Sequence, residues 1–386
     1  MIDSHLRAAP EEVGLDGAKV AELLARVARE VEEGLLPACQ VAIAREGRVA
    51  ALATFGAAVD SSLFNVFSCT KAITSAAAWL LIQERRLDVR ARVAELVPEF
   101  GSNGKDVITV EQLFTHTAGF PHAPFRPVEW QDRARRLERF AQWTLNWPPG
   151  SRFEYHPTSS MYVIAEIIER LSGMAYEQFV RRRIAEPLGL ADLWVGCPRS
   201  EHHRIVSVEH VGDALGPTDY EKLGLPVPPV TEVTEDALNA FNTPDVREAP
   251  VAGGGGVMSA AELALFYQAL LDGGRRVCGE SIWSDDTLAS ALTVRTEFPD
   301  LFGTPVHRAL GVVVAGDERR NARGFGHSNS PLAFGHGGAG GQLGWADPAT
   351  GISLGYCTNG HDRNALRQGR RGISISNRAA VCALKG

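Results

Sequence analysis

Ser68 and Lys71 stand three residues apart in Phe67-Ser68-Cys69-Thr70-Lys71. An extended apolar run, residues 63–67, there gives way to a helical and mostly apolar one from Lys71 to about Gln83. Residues three apart on a helix share a face, so the lysine amine can point at the serine hydroxyl. A serine hydroxyl is a weak nucleophile until a neighbouring base takes its proton, and a lysine among apolar groups has a lowered pKa that suits it to this task. The start of a helix adds free N–H groups and the positive end of a dipole, both favourable to charge on an attacking oxygen. The chemistry indicated is nucleophilic acyl transfer. Cys69 is a rival nucleophile, but free cysteine is more often a small buried hydrophobe.

Two further segments carry reactive or ligand-approaching groups. Tyr155 lies in Pro148-Pro149-Gly150-Ser151-Arg152-Phe153-Glu154-Tyr155-His156-Pro157, a loop leading into a predicted helix over 160–171. Most tyrosines are packed aromatics with a bonded hydroxyl. Beside a cationic lysine, however, the phenolate is favoured and can act as a general base. The second segment is Phe334-Gly335-His336-Gly337-Gly338-Ala339-Gly340-Gly341-Gln342. Glycines let a backbone come close to a ligand, so an edge strand here, beside the Ser68 helix, would offer its N–H groups to substrate.

Other motifs lack their context. Gly351-Ile352-Ser353-Leu354-Gly355 matches the G-x-S-x-G elbow, but Ser353 sits within an apolar run and no helix follows directly. Gly335 to Gly340 fits G-x-G-x-x-G yet precedes a strand instead of opening a helix, so no dinucleotide site is expected. Gly253 to Gly256 lacks the Lys-Ser/Thr of a phosphate loop and reads as a hinge. None of the eleven histidines, His202-His203 included, falls in H-E-x-x-H spacing, so neither metal nor cofactor is expected. His116 reads as a buried hydrogen-bonding residue, since nothing in the sequence pairs it with Ser68.

The elements that must position these residues follow from periodicity. Asp16 caps a helix to about Glu33 with Val20, Leu23, Leu24, Val27 and Val31 as its apolar stripe. Residues 39–44 and 48–55 read as a hairpin around Glu46-Gly47. Most periodic segments between about 90 and 292 are helical, among them 260–271, opened by the capping box Ser259 to Glu262. Strands return at 310–315, 342–347 and 352–358, and a last helix is expected over roughly 374–384. The expected fold is α+β, with an antiparallel sheet from both chain ends flanked by helices and a mainly helical lobe inserted. Residues 1–70 with 300–386 would form the sheet lobe and 71–299 the helical one, including a loop insertion at 198–252.

The chain has 386 residues, 45% apolar and 22% charged, which is ordinary for a soluble globular protein. A net charge of −7 gives no sign of a nucleic-acid partner. No apolar run reaches membrane-spanning length, and the amino terminus lacks the pattern of a signal peptide. Six cysteines scattered without C-x-x-C spacing fit a cytoplasmic enzyme with free thiols.

Taken together, the three segments resemble the serine β-lactamase-like superfamily, and more closely its esterase branch, the family VIII carboxylesterases and related penicillin-binding-protein homologues. The resemblance covers most of the chain. It includes Leu113-Phe114-Thr115-His116-Thr117-Ala118-Gly119, the Tyr155 segment with residues 167–173, Pro187-Leu188-Gly189-Leu190, residues 253–262 and residues 335–348. It implies a class C β-lactamase-like fold with Ser68 as acylated nucleophile and Lys71 and Tyr155 sharing base and acid duties. His336-Gly337-Gly338 would replace the Lys-Thr-Gly strand motif, and the backbone N–H groups of Ser68 and Ala339 would form the oxyanion hole. Pro157 stands where the lactamase branch has asparagine, and His336 where it has lysine. Histidine is only partly charged near neutral pH. Both changes weaken recognition of penicillins and leave the acyl-transfer groups in place. Small carboxylic esters are therefore the expected substrates. An acyltransferase, a D-amino-acid peptidase or amidase, a weak β-lactamase, or a member of the fold that only binds ligands are the alternatives.

Overall fold

The computed structural model describes residues 2–227 and 233–384. Its centre is a six-stranded sheet of β1 (Ala38–Arg45), β2 (Arg48–Gly56), β7 (Val313–Val314), β8 (Phe334–Gly338), β9 (Gln342–Asp347) and β10 (Ile352–Thr358). The order is β2-β1-β10-β9-β8-β7, with every neighbouring pair antiparallel. Both ends of the chain thus meet in one sheet, at the seam where Val41 pairs with Tyr356. The β1–β2 turn places Glu46 and Gly47 at positive φ, the backbone a tight right-twisted hairpin needs.

Both sheet faces are covered, which is why β9 and β10 are buried along their whole length. On one face lie α1 (Gly17–Glu32) and α5 (Ala365–Ala380), over a core that includes Val41, Ile43, Leu354 and Ile375. The Asp16 carboxylate caps α1 by accepting from the Ala18 and Lys19 N–H groups. On the other face lie α4 (Ala260–Asp272) and α2 (Thr70–Gln83). Gly344 lets α4 come close: a Cβ there would lie 2.5 Å from Tyr267 Cε2. Helix α2 is buried on every side from Thr70 to Leu81, as expected of a central helix with no polar face. Lys71 is therefore carried into the interior by its position in the sequence. The remaining long helix, α3 (Ser159–Ser172), lies alongside α2. A small sheet of order β3-β6-β4 joins β3 (Phe64–Asn65), β6 (Gly256–Met258) and β4 (Trp194–Val195), and β5 (Glu209–Val211) pairs in parallel with β11 (Gly360–Asp362). Among the described residues, no helix is long and apolar enough to cross a membrane.

Several sequence expectations need correction. The last helix begins at Ala365, capped by the Asn364 side chain, and ends at Ala380. Its first half carries Gly369, Gly372 and the arginines Arg367, Arg370 and Arg371, a composition with no apolar stripe. Ion pairs hold it instead, as Arg371 meets Glu30 of α1 and, at 2.9 Å, Asp362 at the end of the strand Gly360–Asp362. Residues 310–315 form strand only at Val313–Val314, because Gly311 turns the chain at φ +82 against Ser75. The capping box at α4 is half formed. Ser259 Oγ accepts from the Glu262 N–H as expected, but Glu262 Oε1 accepts from the Asp192 N–H instead of reaching back to the cap. Among its described residues the 198–252 segment holds β5, three short α-helices, Pro217–Lys222, Glu235–Asn239 and Pro244–Glu248, and two 3₁₀ helices, Arg199–Arg204 and Ala240–Asn242. Residues 228–232 of that insertion lie outside the described residues.

Candidate active site

Ser68 sits in a single 3₁₀ turn, Phe67–Cys69, between β3 and α2. Phe67 has φ +44, a left-handed conformation uncommon for a bulky residue and costing roughly 1–3 kcal/mol. Its ring is held edge-on to Phe241 and His361, at 5.1 and 5.0 Å between centroids. The turn presents Ser68 partly exposed, while Cys69 beside it is fully buried. The Cys69 thiol donates to His336 O at 3.1 Å, and burial pushes its pKa up. A buried, protonated thiol engaged in a structural bond is no nucleophile, so Cys69 serves to tie the serine turn to β8.

Lys71, with 0% of its surface exposed, is the second residue of the buried helix α2. Its Nζ is 3.1 Å from Ser68 Oγ, 2.6 Å from Pro157 O and 2.8 Å from Gly253 O. Burial pulls its pKa well down, and the nearby Arg308 cation adds to that. Pro157 and Gly253 acquire roles that the sequence did not reveal. Both act through backbone carbonyls, which no side-chain pattern records. Gly253 is also a close-approach position, since a Cβ there would lie 2.9 Å from Pro157 O and 3.5 Å from Lys71 Nζ.

Tyr155 is brought over this lysine, with Nζ 4.8 Å from its ring centroid. Its loop is fixed by His116, which has left-handed backbone at the end of the short helix Val110–Thr115. His116 Nδ1 accepts from the His156 N–H at 3.2 Å, and its ring lies 4.7 Å from that of Tyr155. Burial keeps the His116 imidazole neutral by lowering its pKa. Burial also pushes the Tyr155 phenol up to about 12, against opposing pulls from the Ser68 hydroxyl and Arg308. The phenolate anticipated from the sequence is therefore not the resting form at neutral pH.

The glycine segment reaches Ser68 as β8. Its partner β7 covers only Phe334 and Gly335, so His336–Gly338 form an open edge, although β8 is not an edge strand over its full length. Gly338 comes against Val66 O, immediately before the serine turn, closer than any Cβ would permit. His336 is neutral, with its pKa lowered by burial and then by Arg308 and Lys71. Its Nδ1 lies 2.7 Å from Gly337 O and its Nε2 3.2 Å from Arg308 Nη1. A guanidinium can only donate, so Nε2 accepts and Nδ1 carries the proton. Arg308 escaped the sequence reading because a lone arginine in an irregular segment carries no motif.

The rival motifs resolve as structure. Ser353 is buried as the second residue of β10, where its hydroxyl donates to Ala264 O at 2.7 Å and accepts from Gln268 Nε2 at 3.1 Å. Among the described residues, no group of three or more His, Cys, Asp or Glu side chains is arranged to hold a metal. A sizeable cavity of about 630 Å³ has no part in this chemistry: it is lined by Arg26, Arg29, Glu30 and Arg367 on the α1–α5 face.

An antiparallel sheet covered by helices on both faces, with S-x-x-K opening a buried helix beneath it, is the architecture of the β-lactamase-like hydrolases. The chain belongs to the Beta-lactamase family, whose model matches residues 23–374. Over 315 residues it is 25% identical to the esterase/β-lactamase LipL of Mycobacterium tuberculosis, covering 76% of this chain and 68% of that one. Among solved structures it is similar to a penicillin-binding protein homolog from Caulobacter crescentus, with TM-score 0.75, 28% identity, and 95% and 99% of the two chains covered. It is also similar in fold to a family VIII carboxylesterase, with TM-score 0.75, 24% identity, and the same 95% and 99% coverage.

Proposed function

We propose that this hydrolase cleaves small carboxylic esters through an acyl-Ser68 intermediate. The observation that carries the reading is the set of three oxygens around Lys71 Nζ. A neutral amine has two N–H donors and one lone pair. The carbonyls of Pro157 and Gly253 can only accept, so they take both donors, and the lone pair is left facing Ser68 Oγ. Burial favours this neutral form.

In the acylation step Lys71 removes the Ser68 proton as Oγ attacks the ester carbonyl carbon. The oxyanion forms between the Ser68 and Ala339 N–H groups. Donors aimed at such an oxyanion contribute roughly 3–4 kcal/mol each. Tyr155, protonated at neutral pH, gives its proton to the departing alkoxide and is reprotonated from Lys71. Water then attacks the acyl carbon, losing a proton to neutral Lys71 through the Tyr155 hydroxyl as relay, and Lys71 returns that proton to Ser68 Oγ as the acyl–oxygen bond breaks, so the acid leaves and Ser68 is again the alcohol. No cofactor enters this scheme, and the only partner it requires is the small-molecule ester.

The test is hydrolysis of p-nitrophenyl butyrate by the wild type and by Ser68→Ala in parallel. Turnover that disappears with the hydroxyl is the expected result. Turnover that survives in Ser68→Ala would overturn the assignment of the nucleophile.

A further inference from the structure

Thr74 lies three residues beyond Lys71 on α2 and is fully buried. Its Oγ1 is 2.6 Å from Ala252 O, 2.6 Å from the Tyr176 hydroxyl and 3.2 Å from Thr70 O. A hydroxyl has one proton to give. Tyr176, also fully buried, opens the short helix Tyr176–Val180, and its hydroxyl has no other hydrogen-bond partner among the described residues. Burial pushes the pKa of this phenol up, so it is protonated and donates. The direction of the chain follows: Tyr176 donates to Thr74, and Thr74 donates to the nearer carbonyl, that of Ala252. Among the described residues Thr74 is the only donor to Ala252 O. The next residue is Gly253, whose carbonyl accepts from Lys71 Nζ. On the far side of Gly253, the Gly256 N–H donates to Thr70 Oγ1 at 2.8 Å, and Thr70 Oγ1 donates to Phe67 O at 2.5 Å. The glycine segment is thus pinned to α2 on both sides of the carbonyl that meets the lysine. A Cβ at Gly253 would also lie 3.0 Å from Thr158 Cα, so the segment is wedged between α2 and the Tyr155 loop.

We propose that Thr74, oriented by Tyr176, is a positioning residue for the Ser68–Lys71 pair. It acts through the backbone: its hydroxyl holds Ala252, the segment presents Gly253 O, and that carbonyl occupies one N–H of the lysine so that the lone pair faces Ser68 Oγ. The inference rests on the scheme above, in which Lys71 is the base. Without the Thr74 hydroxyl, Ala252 O is a buried acceptor with no donor, and the segment shifts to find one. Lys71 then keeps one fixed carbonyl, and its amine is free to turn an N–H toward the serine. Activation of Ser68 falls. The pKa of Lys71 falls as well, because the ammonium loses a charge-assisted bond and the neutral amine only a weaker one. Two signatures follow, a lower plateau rate and an acid limb moved to lower pH. The other groups that act on this titration, Arg308, Cys69, Tyr155, His116, His156 and His336, stay as they are. A role in core packing alone lowers the melting temperature and moves neither signature per folded molecule.

The experiment follows phosphonylation of Ser68 by ethyl p-nitrophenyl butylphosphonate across pH, with thermal unfolding of the same preparations. Ser68 Oγ bonds to phosphorus, the bond to the nitrophenyl oxygen breaks, and the serine proton goes to Lys71. Nitrophenolate leaves without a proton, so the rate isolates the base, and its acid limb reports the pKa of that base in the free enzyme. Thr74→Val should lower the plateau rate by about ten- to a hundredfold, the scale of a small misplacement within a catalytic pair, and move the acid limb to lower pH. Thr74→Ser, which keeps the hydroxyl, should stay within about threefold of wild type with its midpoint in place. Tyr176→Phe should show both signatures to a smaller extent. A Thr74→Val rate within about threefold of wild type at every pH overturns the proposal. So does a loss that leaves the midpoint unmoved, or an equal loss in Thr74→Ser. If Thr74→Val does not fold, Tyr176→Phe decides, and an unchanged rate and midpoint there overturn the proposal. Hydrolysis of p-nitrophenyl butyrate by the same proteins separates this inference from the esterase reading. Phosphonylation that depends on Thr74 in a protein that cleaves no ester supports the positioning role and sinks the esterase reading alone. Ester turnover and phosphonylation that are both indifferent to Thr74 overturn the positioning role alone. A wild type that does neither overturns both.

Discussion

Gly338→Ala tests whether the close approach of β8 to the serine turn builds the oxyanion hole. The backbone at Gly338 has φ −120 and ψ 158, extended geometry that alanine adopts without strain. By itself the change should therefore stabilise the protein by about 0.4–1 kcal/mol, through a less flexible unfolded chain. The new Cβ, however, would lie 2.9 Å from Gln342 Cβ and closer still to Val66 O. Gln342 Cβ is fixed to its own strand, and Val66 O belongs to the backbone that leads directly into Ser68. Restoring an ordinary C–H···O separation of ~3.3 Å requires strand and turn to part by about 1 Å. That displacement separates the Ala339 N–H from the Ser68 N–H, so one of the two donors no longer meets the oxyanion. Loss of one such donor costs about 10²–10³ in kcat, or ~2.7–4 kcal/mol. The assay is kcat for p-nitrophenyl butyrate together with thermal unfolding of the same preparations. A kcat within about threefold of wild type, ~0.6 kcal/mol, would refute the reasoning. So would a large fall in melting temperature matching the lost activity, since the damage would then be general and not confined to the site.

Further expectations concern the proton carriers and the buried polar groups. Lys71→Met should lower kcat by about 10²–10⁴, the usual worth of a positioned general base. Lys71 also carries a signed pH dependence. Its pKa is depressed in the folded state from 10.5, so between the folded value and 10.5 the unfolded chain binds more protons and stability rises with pH, by up to about 1.4 kcal/mol per unit. Urea unfolding across that window should show the rise in wild type and its absence in Lys71→Met; parallel curves would remove the buried-amine assignment. Tyr155→Phe should slow ethyl butyrate hydrolysis more than that of p-nitrophenyl butyrate, because nitrophenolate leaves without a proton. An equal effect on both esters would remove the tyrosine from the leaving-group step. Ser353→Ala removes the buried hydrogen bonds to Ala264 O and Gln268 Nε2 and should cost about 1–3 kcal/mol in denaturant unfolding, while turnover per folded molecule persists. Lost turnover in a folded Ser353→Ala protein would reopen the G-x-S-x-G reading. Arg371→Met removes the buried guanidinium shared by Glu30 and Asp362, which keep Arg26 and Arg367 respectively, and should destabilise by about 1–3 kcal/mol, measured the same way.

The features legible before folding were local ones. The Ser68–Lys71 spacing on a helix, the apolar surround that buries the lysine, and the strands Gln342–Asp347 and Ile352–Thr358 all follow from periodicity over a few residues, and all stand in the structure. Helix α1, with its Asp16 cap, does so too. The rest came from contacts between distant segments, which exist only in the folded chain. Two carbonyls, from Pro157 and Gly253, hold the Lys71 amine beside Ser68, and a backbone carbonyl looks the same in every sequence. The first half of α5 is held by Arg371 reaching across 341 residues of chain to Glu30, where a helical stripe would have needed apolar side chains. Arg308 had no motif to announce it, and it acquired meaning only when folding placed it against Tyr155 and His336. Periodicity is written into neighbouring residues, whereas the electrostatics of a site belong to whatever the fold brings together from different parts of the chain.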